Sequence, residues 1–133
     1  VLIRTKPGEK MGPVINKEAM RLSPDRIVCG EFRDIAAFYA ADLWTSGHDG
    51  GAASMHAKTV EGALRRMNRL MLNGRRGSFA ELIAEAVQVV VVLERAITGP
   101  RVVDVAQVVG LGSRDRFHFR RPQAGALTTG VAA

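Results

Sequence analysis

The segment Asp25-Arg26-Ile27-Val28-Cys29-Gly30-Glu31-Phe32-Arg33-Asp34 constrains this chain more than any other. Ile27-Val28-Cys29, set among charged neighbours, reads as a short buried strand that delivers Glu31 at its carboxyl end. In an open α/β sheet, ligands bind in the crevice outside the carboxyl ends of the strands. A carboxylate there can orient a water or a magnesium ion beside a phosphate. Further on, Gly47-His48-Asp49-Gly50-Gly51-Ala52-Ala53-Ser54-Met55-His56 surrounds two histidines with glycines, which let backbone approach a ligand closely. Together these segments have the layout of a nucleotide-hydrolysing site, or of part of one.

At these residues the chain resembles the secretion ATPases of the type II/type IV superfamily. The family's Walker B segment is an apolar run, Gly-Glu, an apolar residue, Arg and often Asp, here residues 27–34. Its histidine box is Thr-Gly-His, a glycine-rich spacer and Thr-x-His, here Ser46-Gly47-His48 through Ser54-Met55-His56. Ser46 and Ser54 stand where Thr is usual, and both keep a hydroxyl. The resemblance covers roughly residues 13–110. It implies an α/β fold, the C-terminal part of a RecA-like P-loop ATPase domain with appended helices and strands. The activity it implies is ATP hydrolysis, with magnesium, powering a secretion, conjugation or pilus-assembly machine.

The family's phosphate loop, Gly-x-x-x-x-Gly-Lys-[Ser/Thr], does not occur in the 133 residues. Pro7-Gly8-Glu9-Lys10-Met11-Gly12 bears glycines but lacks the Gly-Lys-Thr ending and a preceding strand. The acidic box between the two Walker motifs is also missing. The chain is therefore expected to be the C-terminal portion of a longer ATPase, or a truncated product, inactive alone. Residues 1–12 read as a cut end or loop, 13–110 as a partial ATPase domain, and 111–133 as an extension, disordered towards its end.

Within the resemblance, Glu31 is the expected catalytic carboxylate, polarising the attacking water or holding magnesium through water. His56 is expected to reach towards the terminal phosphate. Arg33 either pairs with a carboxylate or approaches nucleotide across a subunit boundary, since arginine's fork suits both. His48 braces the glycine turn, and Gly47 and Gly30 complete the candidate nucleotide or inter-subunit set. The resemblance further implies a homo-oligomer, a hexameric ring, docked on an inner-membrane platform protein. The expected location is cytoplasmic and peripheral at the inner membrane.

Composition bounds the alternatives. Apolar residues make up 47% of the chain, enough for a core in one domain. No run is long enough to span a membrane. One cysteine excludes an internal disulfide, and Cys29 reads as a small core residue. A zinc site of Cys29, His48 and His56 matches no ligand spacing. The net charge of +6 suits nucleic acid, an anionic surface or nucleotide phosphate. Arg65, Arg66, Arg69, Arg75 and Arg76 form its densest cluster and read as a solvated helix face and loop. No aromatics interleave with them, so a stacking platform for single strands is not supported; no direct nucleic acid is expected, and a basic nucleic-acid-binding domain stands as a third, weaker reading. The rival functional class is a non-catalytic interaction module, favoured by the missing phosphate loop.

Periodicity predicts a helix over residues 14–22, stopped by Ser23-Pro24, and another over 35–44 capped by Asp34. The latter's apolar face is Ile35, Phe38, Tyr39 and Leu43. A short strand over 52–55 would place His56 at its carboxyl end. A helix over 59–73 carries Val60, Ala63, Leu64, Met67, Leu70 and Met71 on one face and the arginines on the other. Thr59 caps it and Gly74 ends it. A capping box, Ser78-Phe79-Ala80-Glu81, opens a helix to residue 86. The β-branched runs 87–93 and 101–109 read as paired strands joined by Thr98-Gly99-Pro100. Residues 89–93 suit a buried strand, and 117–120 a further one.

Overall fold

A computed structural model describes residues 9–122. The predicted extremes of the chain, residues 1–8 and 123–133, lie outside that range. Four helices are described: α1 (Met11–Lys17), α2 (Ala36–Thr45), α3 (Val60–Leu72) and α4 (Ala80–Ala86). Two short strands, β1 (Val28–Cys29) and β2 (Ala52–Ala53), pair in parallel. Three more, β3 (Val89–Ala96), β4 (Gly99–Gly112) and β5 (Arg116–Arg120), form an antiparallel sheet in that order. The molecule is α/β, as expected.

Local sequence explains the boundaries. The helix predicted over 14–22 divides into α1 and a 3₁₀ turn, Ala19–Leu22, after which Ser23 takes a left-handed conformation ahead of Pro24. Asp34 caps α2 by accepting from the N–H of Ala36 at 2.8 Å. Thr59 caps α3 by accepting from the N–H of Gly62 at 3.0 Å. Asn73, rather than Gly74, takes the first left-handed position at its other end. The Ser78 hydroxyl accepts from the N–H of Ala80, and Asn68 on α3 accepts from that of Phe79, so α4 starts against α3.

The core lies among the helices and one face of each sheet. Its centre is an alanine stripe on α2, Ala36, Ala37, Ala40 and Ala41, all with 0% exposure. The larger residues expected to form that face, Phe38, Tyr39 and Leu43, are only partly buried around it. Alanines at i and i+4 let neighbouring elements approach the α2 backbone closely, so the small residues occupy the deepest position. Leu64, Met67 and Met71 of α3 pack into the same core as Ile27, Cys29 and Phe32. Burial pushes the Cys29 thiol up to about 11, as befits a packing residue.

Two strand assignments change. The segment 89–93 is not buried throughout: Val92 is buried, but Val89, Val91 and Leu93 alternate onto an exposed face. Only one face of the antiparallel sheet meets the helices, so period two exposes every other residue. For the same reason Val28 is exposed between buried Ile27 and Cys29. β4 runs past residue 110 to Gly112, with a register shift between Val108 and Gly110, and β5 pairs with it, so the sheet continues into the segment read as an extension. Arg121 then ties this end back, bonding Asp104 through two 3.0 Å contacts and lying 3.7 Å from Glu61 of α3.

Candidate functional site

The parallel pairing of β1 with β2 brings the two sequence motifs together. Val28 sits opposite Ala52 and Cys29 opposite Ala53. The Ala52 N–H donates to the Ile27 carbonyl at 3.3 Å, and beyond the strands the Phe32 N–H donates to the Ser54 carbonyl at 2.8 Å. The Ser54 hydroxyl donates to the Gly30 carbonyl. Ser54 therefore clamps the two strand ends through both backbone and side chain. Its motif hydroxyl is explained by that clamp, a role not evident from spacing.

Glu31 and His56 leave the carboxyl ends of these adjacent strands and meet. His56 Nε2 lies 3.4 Å from Glu31 Oε1. The Glu31 side chain keeps 24% of its exposure, whereas His56 keeps 87%. Arg33 takes the other oxygen: its Nε and Nη2 donate to Glu31 Oε2 at 2.8 and 2.6 Å. This is the carboxylate pairing expected as one of the two roles of Arg33. The hydrogen bond from Arg33 chiefly, with the charges of Arg33, His56 and Arg66, holds the Glu31 carboxyl below its ordinary value. The site thus presents, at neutral pH, an ionised Glu31 carboxylate held by Arg33, with the His56 ring facing solvent beside it.

Arg66 was expected on a solvated face. It is instead half-buried, its Nε lies buried without a hydrogen-bond partner, and its charge bears on Glu31. Helical spacing places it beside the apolar stripe, one position from Met67, and only the three-dimensional neighbour reveals its bearing on the site. Arg65 and Arg69 are exposed as expected.

The glycine-rich segment connects α2 to β2. Gly47 has φ +102°, which favours glycine, and follows the end of α2; a Cβ added there would meet nothing within 4 Å, so the backbone conformation alone calls for glycine. The His48 backbone N–H donates to the Leu43 carbonyl at 3.2 Å. Its Nδ1 is buried without a partner. Gly51 allows a close approach: a Cβ there would fall 1.9 Å from Trp44 Nε1 and 2.6 Å from the Ile27 carbonyl oxygen. That space lets the Trp44 indole donate to the same carbonyl at 3.1 Å. Gly30 is unhindered beside Glu31. Among the described residues, no group of three or more His, Cys, Asp or Glu side chains is arranged to hold a metal ion. No helix among them is long and apolar enough to cross a membrane.

Comparisons with known proteins bear on the family and the fold. Residues 13–108 match the model of the family described as type II/IV secretion system protein. The chain is 43% identical over 108 residues to a probable conjugal transfer protein TrbB of Sinorhizobium fredii, covering 81% of this chain and 33% of that protein. It is 36% identical over 84 residues to the type IV secretion system protein VirB11 of Bartonella quintana, covering 60% of this chain and 24% of the relative. The chain thus spans a third or less of the length of these relatives. Its fold matches the crystal structure of the VirB11 ATPase from the Brucella suis type IV secretion system, solved in complex with sulphate. The TM-score is 0.67 at 24% identity, over 76% of this chain and 32% of that one. The match is to a RecA-like fold. With the two strand-end motifs adjoining in space and the family model covering most of the sequence, the chain belongs to the type II/IV secretion system protein family.

Proposed function

We propose that residues Glu31 and His56 form the hydrolytic side of an ATPase site that powers a conjugation or type IV secretion machine. The observation carrying this reading is the 3.4 Å approach of His56 to Glu31 at the carboxyl ends of two parallel strands. Family membership and the names of the relatives supply the machine. The donor set suits one side of a magnesium–ATP complex: an ionised, partly exposed carboxylate can hold a water or a metal-bound water. Magnesium, when bound, offsets phosphate charge.

The roles of the residues follow from their chemistry. Glu31 orients the attacking water with Oε1. Arg33 fixes the carboxylate through Oε2 and keeps it ionised. Exposed His56 donates a hydrogen bond from its ring towards the terminal phosphate when the imidazole's other nitrogen is free. Arg66 adds positive charge behind Glu31. The sequence has no phosphate loop, so the β- and γ-phosphates must be cradled by another segment. We place the working site in a hexameric ring at the cytoplasmic side of an inner-membrane platform, with Gly30 at the end of β1 and Gly47 and His48 in the turn after α2.

The test is turnover in a protein where these residues follow a phosphate-loop segment. There His56→Ala should slow magnesium-dependent hydrolysis at least tenfold, about 1.4 kcal/mol of transition-state stabilisation. The 133-residue chain alone should show no turnover. Unchanged hydrolysis in a folded His56→Ala variant would assign the histidine to structure, whereas no hydrolysis in the unmodified protein would favour the non-catalytic interaction module.

A further inference from the structure

The antiparallel sheet ends in β5, and among the described residues no strand lies beyond it. Alternation sorts its side chains. Phe117 and Phe119 are partly buried against the core, and Arg121 continues their row to Asp104 and Glu61. Arg116, His118 and Arg120 line the other face and are exposed. Ion pairs at this end of the molecule join Arg101 to Glu94 and Arg121 to Asp104 and Glu61; among the described residues none reaches Arg116, His118 or Arg120. On β4 the exposed row is opposed by Gly112, Gly110 and Gln107, which carry no charge. A Cβ on Gly112 would collide with His118 Nε2, so the imidazole leans across β4 and away from the free edge.

The backbone of β5 sorts in the same way. The Val108 N–H donates to the Gln88 carbonyl at 2.9 Å, so Val108 bonds towards β3 and Gln107 towards β5. Gln107 pairs with Arg120, which turns the Arg120 backbone to β4. Along β5, His118 and Arg116 then also face β4, whereas the N–H and carbonyl groups of Phe117 and Phe119 face the free edge.

The geometry points to β5 as the docking edge for an acidic strand of a partner protein, one that alternates carboxylate and apolar side chains and adds antiparallel to the sheet. Its bonded pairs form at Phe117 and Phe119, where its apolar residues extend the half-buried row. Its carboxylates fall at the non-bonded positions opposite Arg116, His118 and Arg120, where facing side chains stand closest. A second copy of β5 does not fit, because antiparallel self-pairing sets arginine against arginine, and like charges directly opposite are destabilising. Charge on an edge strand commonly blocks edge pairing; here it rejects the chain's own strand and admits an acidic one. Phosphate on a nucleic acid or a lipid surface accepts hydrogen bonds but donates none, which leaves the Phe117 and Phe119 carbonyls unmatched. Both rings also face the core side, away from a base that could stack on them. The inference does not depend on whether Glu31 and His56 hydrolyse ATP.

The test uses the 133-residue chain and a capped nonapeptide whose central five positions alternate glutamate and valine, with lysine replacing glutamate in the control. The expected result is saturable binding of the glutamate peptide, weakened by salt. Hydrogen exchange should slow at least tenfold at the Phe117 and Phe119 amides and stay unchanged at those of His118 and Arg120, which already face β4. Arg116→Glu combined with Arg120→Glu, both at exposed positions, should keep the fold and reverse the preference to the lysine peptide. The inference is overturned if the Phe117 and Phe119 amides gain no protection, if both peptides bind equally, or if the double variant keeps the original preference. Displacement of the peptide by oligothymidylate or by phosphatidylglycerol vesicles would make this face a phosphate site instead. Protection of the same amides in a dimer of the chain alone would make the occupant a second copy, against the charge argument.

Discussion

His56 Nε2 lies 3.4 Å from Glu31 Oε1, and the link between their strands is the Ser54 side chain, which donates to the carbonyl beside Glu31. The contact is therefore a product of strand pairing, and it depends on how firmly the strand ends are held together.

Ser54→Ala removes that clamp and leaves the backbone bond from Phe32. Because the site is exposed, the loss should be about 0.5–1 kcal/mol of stability, read from the urea midpoint. The His56 ring resonances should shift with it. Ser54→Thr, which keeps the hydroxyl, should restore both. A Ser54→Ala variant with unmoved His56 resonances would separate the clamp from the contact.

Gly51→Ala should destabilise the chain by roughly 1–3 kcal/mol, the range for overpacking. The new Cβ would meet the Trp44 indole at 1.9 Å and the Ile27 carbonyl oxygen at 2.6 Å. The indole can move, but backbone cannot, so the Trp44 bond to Ile27 should break and its fluorescence should change. Native stability with unchanged emission would contradict the packing described.

The Glu31 carboxyl is held below its ordinary value of 4.5, chiefly by its hydrogen bond with Arg33. A carboxyl whose folded value is lowered contributes stability that is present above its unfolded value and lost as pH falls through the folded one. Acidification below about 4.5 should therefore weaken the fold, with Asp104, lowered by Arg121, contributing in the same direction. Arg33→Gln should raise the Glu31 titration towards its ordinary value, as followed by carboxyl NMR. A titration that stays low would make the other nearby charges the dominant cause.

Much of this organisation is legible in the sequence because it is local. The Thr59 and Asp34 caps, the α3 stripe of Val60, Leu64, Met67 and Met71, and the β3–β4 hairpin all follow from spacing and side-chain type. The proximity of Glu31 to His56 is not local, and only the order and spacing of the two motifs pointed to it. The alanine stripe of α2 escaped because apolar size draws attention to Phe38 and Tyr39, whereas close packing favours Ala36 and Ala40. The exposure of Val89, Val91 and Leu93 escaped because a β-branched run does not show which face is covered. Arg66 escaped because helical periodicity marks the core face but is silent on what flanks it.

The central claim, that Glu31 performs hydrolysis, is tested most directly by Glu31→Gln in a protein where these residues follow a phosphate-loop segment. The measurement is ATP turnover alongside ATP affinity, both with magnesium. Glutamine keeps the size and can still bond Arg33 through its carbonyl, but it cannot hold the water as a carboxylate does. The account predicts that turnover falls at least a hundredfold, about 2.7 kcal/mol in the barrier, while affinity stays within a factor of about three, or ~0.7 kcal/mol. Turnover at the unmodified rate, or loss of ATP binding together with turnover, would contradict it.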